Sequence, residues 1–131
     1  MTLRTLFTLT AALMVFFGAG FLLAPGAVFG LYGVALDPAG VMLANVAGAA
    51  VLSLGLLAWL GRDAGAASAR TAATTLLCFF VVKTTVTLLA QLGGVFNALG
   101  WSIVALDAAL GLGYAYLLFA RPRVAAAPST A

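Results

Sequence analysis

The chain contains no histidine and no glutamate, and its single cysteine is Cys78. One cysteine cannot form a disulfide within the chain, and a chain without histidine offers neither a His-ligated haem nor a Cys/His zinc site. We therefore predict no cofactor and no metal. No basic residue flanks Cys78 and no second cysteine is present to form a disulfide with it, so we predict an inert, buried thiol.

Charged residues are also scarce: they make up 7% of the 131 residues, whereas hydrophobic residues make up 65%. A soluble domain does not carry so apolar a composition, so we predict an integral membrane protein whose first partner is the lipid bilayer. The net charge of +3 does not indicate a nucleic-acid partner, because the basic residues stand at the ends of apolar runs instead of forming one cluster.

Four apolar runs are long enough to cross a bilayer, since about 20 residues are needed for each span. The runs are residues 5–24, 39–60, 71–92 and 98–120. They predict an all-α bundle of four transmembrane helices in a single domain over residues 1–123, followed by a disordered tail of small residues at 124–131. Residues 25–36 are apolar but too short to span and are interrupted by glycine, which predicts a loop or short helix at the membrane interface.

Residues that favour helix ends separate these runs. Asp37 followed by Pro38 is typical of a helix start, because aspartate caps free backbone amides and proline lacks the amide that would go unpaired. The polar segment 62–70 predicts a connection, Gly93-Gly94 predicts the end of the third helix, and Asn97 predicts the cap of the fourth.

The first run has a second interpretation, as a secretory signal peptide with a small-x-small cleavage site at Gly18-Ala19-Gly20. The apolar residues Phe21 to Leu23 continue the run past that site to full spanning length. This continuation favours a retained membrane anchor.

The arginines predict the orientation of the bundle. Four spans place Arg4, Arg62, Arg70, Arg121 and Arg123 on one side, and no lysine or arginine falls in the loops on the other side. Cytoplasmic loops carry an excess of basic residues, so we predict that both termini are cytoplasmic.

Two charges lie deep inside apolar runs, Lys83 in the third and Asp107 in the fourth. The connection between these runs is short, which predicts antiparallel neighbours. At about 1.5 Å per residue, Lys83 lies roughly 13 Å from Leu92 at the end of its run, and Asp107 lies roughly 12 Å from Leu99 near the start of its own run. An isolated charge at the bilayer centre costs at least about 2.5–3.5 kcal/mol, so we predict an intramembrane Lys83–Asp107 ion pair.

Further polar residues surround this pair in the helical projection. Thr84, Thr87 and Gln91 share a face with Lys83, and Asn45 lies in the half of the second helix on the same side of the bilayer. They are candidates for the polar lining of a cavity. Thr and Asn in membrane helices also serve as packing and hydrogen-bonding residues, so the lining and structural interpretations both stay open.

On the fourth helix, Asp107 shares a face with Gly111 and Tyr114. We expect Gly111 to leave space for the lysine side chain and Tyr114 to donate a hydrogen bond at the pair, which adds Tyr114 to the candidate lining. Small residues at helical spacing predict close helix contacts on two helices. These are Ala44, Gly48 and Gly55 on the second helix, and Ala105, Ala109 and Gly113 on the fourth.

The segments FLLAPGAVFGLYGVALDPAG, NVAGAAVLSLGLLAWLGRD and QLGGVFNALGW resemble small uncharacterised four-helix proteins of the bacterial inner membrane, broadly of the DoxX-like type. The resemblance covers most of the chain. It implies a four-helix membrane domain of unknown or accessory function, located in the bacterial inner (plasma) membrane. The small multidrug exporters share the size and helix count, but their proton exchange depends on a first-helix glutamate, which this chain lacks.

Two function classes follow from these residues. The first is a non-enzymatic accessory or scaffold protein, in which the Lys83–Asp107 pair joins two helices and the partner is a second copy or another membrane protein. The alternative is a small carrier or proton-linked transporter in which the same pair exchanges partners. A membrane enzyme is disfavoured, because only Lys83 offers a nucleophile or base and no second catalytic group accompanies it.

Overall fold

The computed structural model describes residues 2–120, and this part of the chain is helical with no strands. The fold is all-α, as the apolar runs predicted. The predicted tail at 124–131, together with Arg121 and Arg123, lies outside the described residues. The helices are α1 (Leu3–Leu23), α2 (Pro25–Leu31), α3 (Pro38–Gly61), α4 (Ala66–Leu92) and α5 (Gly100–Ala115), the last continued by a π-helical turn at Tyr116–Ala120.

Four of these helices, namely α1, α3, α4 and α5 with its π-helical turn, are long and apolar enough to cross a membrane. Large hydrophobic side chains on their outer faces are exposed in the isolated chain, among them Phe16, Leu43 and Leu112. Contact between so large an apolar surface and water is unfavourable, so this surface requires lipid around it. The chain is thus a multi-pass membrane protein, with the short helix α2 between its first two spans.

Two helix ends, the start of α3 and the end of α4, have the structure that their residues predicted. The Asp37 carboxylate accepts a hydrogen bond from the Gly40 amide at 2.6 Å and so caps α3, with Pro38 at the first helical position. At the end of α4, Gly94 adopts a positive φ of 74°, which a residue with a side chain seldom does. The amides of Gly94 and Val95 then bond back to the carbonyls of Gln91 and Ala90, which ends the helix.

The helix α4 begins five residues before the predicted start at residue 71. The predicted connection 62–70 is therefore wrong in extent: it covers only residues 62–65, and Arg70 lies inside the helix. The reason is local, because Ala66, Ala67 and Ala69 are strong helix formers and add the first turn to the apolar run.

The helices pack as two pairs, the α1–α3 pair and the α4–α5 pair. The closest approach in the first pair is between glycines, since a Cβ built on Gly48 would lie 2.9 Å from the Gly18 carbonyl oxygen. The groove predicted on α3 therefore receives α1. On α5, Ala105 and Ala109 are exposed and only Gly113 is half-buried, so two of the three residues of the second small-residue motif do not pack against another helix of the described chain.

The bundle has two different ends. We call the end that holds Arg4, Arg62 and Arg70 the arginine end, and the opposite end, which holds α2 and the α4–α5 turn, the α2 end. At the arginine end Asp63 forms exposed salt bridges with Arg4 at 2.9 Å and Arg62 at 2.8 Å. Such exposed pairs contribute little, about 0–1 kcal/mol each.

The buried core lies at the middle of the bundle and toward the arginine end, where the two helix pairs meet. Its side chains include Leu6 and Phe7 of α1, Leu76 and Phe80 of α4, and Tyr114 of α5, each at most 2% exposed. The half of the bundle toward the α2 end has no comparable cluster in the described residues. The two pairs are thus tightly packed at one end and leave space between them at the other.

Candidate functional site

Lys83 of α4 and Asp107 of α5 form an ion pair in the middle of the bundle, as their equal depth predicted. The lysine ammonium donates a hydrogen bond to Asp107 Oδ2. The Asp107 side chain is 5% exposed and that of Lys83 is 29% exposed. The carboxylate is therefore enclosed by protein, whereas the ammonium borders open space.

The surroundings of the pair differ from the expectation in two respects. Tyr114 does not reach Asp107, because its hydroxyl donates to Thr10 Oγ1 of α1 at 3.0 Å and both residues are fully buried. Gly111 accommodates Phe80 and not Lys83, since a Cβ on Gly111 would lie 3.4 Å from Phe80 Cβ. Tyr114 thus connects the two helix pairs and does not serve the ion pair.

A cavity of about 600 Å³ lies between the helix pairs, from the middle of the bundle toward the α2 end. Its wall is mainly apolar and contains side chains from all five helices. The aromatic members are Phe17, Phe21, Phe29, Tyr32, Phe79, Phe80 and Phe96. This volume and this lining are typical of sites that bind small molecules.

The ion pair forms the charged part of the cavity wall, and Thr87 and Ser102 add hydroxyls to it. Both hydroxyls donate to carbonyls of the preceding turn: Thr87 Oγ1 to the Lys83 carbonyl at 2.9 Å, and Ser102 Oγ to the Leu99 carbonyl at 2.6 Å. Their oxygens keep lone pairs for a donor in the cavity. The wall is therefore apolar except for one ion pair and the hydroxyl groups of Thr87, Ser102 and Tyr32, the last of which lies at the α2 end.

Among the five residues predicted as polar lining, Thr87 is the one that lines this cavity. Thr84 is half-buried on α4 and accepts from Thr87 only through its backbone carbonyl. Asn45 is half-buried on α3, and its Oδ1 atom has no hydrogen-bond partner among residues 2–120. Gln91 donates from Nε2 to the Asn97 carbonyl at 3.3 Å and so braces the turn between α4 and α5.

Asn97 has a different role from the predicted cap. Its Oδ1 accepts from the Leu99 amide at 2.9 Å, but α5 begins at Gly100 with Leu99 at the N-cap position, so the prediction that Asn97 caps this helix is wrong. Its Nδ2 also donates to the Leu31 carbonyl at 2.9 Å, and its backbone amide donates to the Tyr32 carbonyl at 2.9 Å. Asn97 therefore fixes the end of α2 to the α4–α5 turn, beside the cavity. The sequence carries no signal for this contact, which joins residues 66 positions apart.

Cys78 is exposed on the outer surface of α4, so the prediction of a buried thiol is wrong. The same surface of α4 carries Phe79 and Val82 together with Thr74 and Thr75. The physical reason is the lipid environment: an apolar residue in a membrane helix is equally stable against lipid and in the core, so apolar character does not indicate burial.

In comparisons with known proteins, no family model, no curated protein and no solved structure matches this chain. The site therefore has to be interpreted from its own chemistry. That chemistry consists of one ion pair, in the middle of the bundle, at the wall of an aromatic cavity.

Proposed function

We propose that this protein is a non-enzymatic accessory or scaffold protein of the bacterial inner membrane, of the DoxX-like type, in which the Lys83–Asp107 pair holds α4 against α5. The observation that carries the proposal is the ion pair itself, which joins the two helices at mid-membrane depth with a nearly buried carboxylate. Its partner is a second copy or another membrane protein.

The structural role of the pair is tested by removing one charge, by removing both charges, or by exchanging the two residues. Breaking a buried ion pair by removing one partner costs about 3–5 kcal/mol, and partial exposure of Lys83 lowers this figure, so we expect roughly 2–4 kcal/mol for Lys83→Ala or Asp107→Ala. The swap Lys83→Asp/Asp107→Lys restores part of the loss. The neutral double variant Lys83→Met/Asp107→Leu stays near the wild type, because no unpaired charge remains.

The measurements are the folded yield in the membrane and the unfolding of purified protein on titration with sodium dodecyl sulfate, followed by circular dichroism. Two single variants that accumulate and unfold like the wild type would show that the pair has no structural role.

The proposed orientation places the arginine end in the cytoplasm, which the arginine bias supports. In a Cys78→Ala background, Ala64→Cys marks the arginine end and Ala98→Cys marks the α2 end, and both positions are exposed. A membrane-impermeant maleimide added to intact spheroplasts should label Ala98→Cys and spare Ala64→Cys. The reverse pattern would overturn the orientation.

A second function, a small carrier or proton-linked transporter, is favoured by the cavity, because Lys83 and Asp107 form part of its wall. A proton-linked carrier reconstituted in vesicles should admit protons under an imposed potential, as reported by a pH dye enclosed in the vesicles. The Lys83→Met/Asp107→Leu variant should fold and lose this flux. Wild-type flux no higher than that of protein-free vesicles would remove the proton-linked form of this proposal.

A further inference from the structure

The cavity and the unused hydrogen-bonding capacity of its wall define the kind of molecule that fits it. A lysine ammonium carries three hydrogens. One is donated to Asp107 Oδ2, and within residues 2–120 the ammonium has no other hydrogen-bond partner. The Thr87 and Ser102 hydroxyl hydrogens are already donated to carbonyls, and the Tyr32 hydroxyl belongs to a residue at the α2 end, so Lys83 is the donor that the middle of the cavity offers to a ligand. The ligand must therefore bring an acceptor oxygen to this depth.

The charge of the cavity wall determines whether the acceptor oxygen of the ligand is charged or neutral. Lys83 and Asp107 together carry no net charge, so an anion beside Lys83 would leave the site with a net negative charge near the bilayer centre. A cation would be repelled by the ammonium that it has to approach. Unbalanced charge at this depth is costly. A neutral acceptor such as a ketone carbonyl satisfies the free ammonium hydrogens without adding charge.

The apolar remainder of the cavity wall determines which apolar groups the ligand can carry. Phe17 and Phe21 of α1 and Phe79 of α4 supply aromatic surface to the wall, and Leu106 of α5 adds an aliphatic surface. These side chains bind apolar chains or flat rings and offer no hydrogen bonds. A volume of about 600 Å³ accommodates a molecule larger than a detergent tail or a single aromatic ring.

The cavity is also accessible without opening of the bundle. Ala47 on α3, Val86 on α4 and Ser102 on α5 belong to its wall and are nevertheless exposed. These residues lie on helices that cross the membrane, so a lipophilic molecule can enter from the bilayer.

We propose that this cavity binds a neutral lipophilic molecule through a carbonyl oxygen, which accepts a hydrogen bond from Lys83 while Asp107 keeps the lysine charge balanced. The proposal goes beyond the role of the pair in holding α4 to α5, and it holds whether or not the bound molecule is carried across the membrane. The pair is then both a helix contact and the polar anchor of a ligand.

Benzophenone tests this assignment, because it is a neutral, lipophilic ketone that on illumination forms covalent bonds with nearby C–H groups. The full chain in lipid nanodiscs is illuminated with benzophenone, and the labelled residues are located by mass spectrometry. We expect labels at cavity residues such as Phe17, Thr87 and Leu106. Labels confined to outward-facing residues such as Phe16 and Leu112 would overturn the proposal.

Competitors then separate the carbonyl from the apolar body. A neutral ketone, 2-undecanone, should suppress the cavity label at about tenfold lower concentration than undecane, which is the effect expected of a hydrogen bond to a charged donor. Equal suppression by undecane would show that the cavity takes an acyl chain only. Stronger suppression by undecanoate than by the ketone would show that the site selects an anion. Either result overturns the proposal.

Two kinds of variant complete the test. Lys83→Met/Asp107→Leu removes the donor without leaving a buried charge, and it should abolish the advantage of the ketone over undecane while the protein still folds. Ala47→Trp fills the cavity from α3 without changing the pair and should remove most of the label. Ala49→Trp is its matched control, because Ala49 is exposed and lies outside the cavity wall. Labelling that Ala47→Trp leaves unchanged would place the ligand elsewhere.

These outcomes separate ligand binding from the structural role of the pair. If the single-charge variants unfold easily but the ketone has no advantage over undecane, the pair is structural and the ligand assignment fails. If the ketone is selected but the single-charge variants are stable, the ligand assignment holds and the scaffold proposal fails.

Discussion

The α1–α3 pair and the α4–α5 pair are held together by opposite kinds of contact. Between α1 and α3 the contact depends on glycines, which have no side chain. Gly18 and Gly48 let the two backbones approach so closely that an added Cβ would collide with a carbonyl oxygen. Between α4 and α5 the contact includes two charged side chains, Lys83 and Asp107, which meet in the middle of the bundle. One interface is apolar and close, and the other carries a polar link.

The difference has a physical origin in the lipid solvent. Apolar side chains gain little by leaving lipid for a helix interface, so membrane helices associate through close packing or through hydrogen bonds and ion pairs. The α1–α3 pair uses the first of these means and the α4–α5 pair adds the second. It follows that added volume breaks the first interface, whereas loss of one charge breaks the second.

The largest loss of stability in this comparison is expected for Gly48→Leu, which changes the α1–α3 interface and not the α4–α5 interface. A Cβ at this position would lie 2.9 Å from the Gly18 carbonyl oxygen and 3.0 Å from Phe21 Cβ, so α1 has to move away from α3. Overpacking costs about 1–3 kcal/mol, and backbone atoms cannot rotate out of the way, so we expect about 3 kcal/mol. Unfolding in sodium dodecyl sulfate, followed by circular dichroism, measures the loss.

The matched control is Ala49→Leu, one residue along α3 on an exposed surface. It adds a similar side chain toward lipid and should change the stability by less than about 0.5 kcal/mol. If Gly48→Leu is as stable as Ala49→Leu, the close approach of α1 and α3 does not stabilise the fold.

Much of this fold could be predicted from sequence patterns. The features that could not be predicted share one physical cause. The four spans and the depth of Lys83 and Asp107 depend on residue spacing along one helix or across one short turn, so they could be predicted. Which faces of distant helices meet depends on packing, and an apolar residue in lipid gives no signal of burial. The Thr10–Tyr114 hydrogen bond, 104 residues apart, and the aromatic cavity were for this reason not predicted.

A smaller effect is expected at the contact that joins the two pairs to each other. Tyr114 donates to Thr10 at 3.0 Å, and its ring lies 5.7 Å from that of Phe7 and 6.1 Å from that of Phe80. Tyr114→Phe keeps the ring and removes the donor, so we expect a loss of about 1–2 kcal/mol, since the Thr10 hydroxyl is left buried without this partner. The same unfolding titration measures this loss.

Thr10→Val provides the second side of a double-mutant cycle with Tyr114→Phe. The double variant should lose less than the sum of the two single losses, because the two residues act through one hydrogen bond. Additive losses would mean that the hydrogen bond does not couple the α1–α3 pair to the α4–α5 pair.

The smallest effect is expected at the α2 end, where Asn97 joins the end of α2 to the turn between α4 and α5. Asn97→Ala removes the bond to the Leu31 carbonyl and the acceptor for the Leu99 amide, whereas Asn97→Asp keeps that acceptor and loses only the donor. One hydrogen bond contributes about 1 kcal/mol, so amides of residues 28–34 should exchange with deuterium about five times faster in both variants. Amides at the start of α5 should exchange faster only in Asn97→Ala. Global unfolding should change little in either variant, because the tight core lies at the other end of the bundle. Unchanged exchange over residues 28–34 would mean that the remaining bond from the Asn97 amide to the Tyr32 carbonyl suffices to hold α2 beside the cavity.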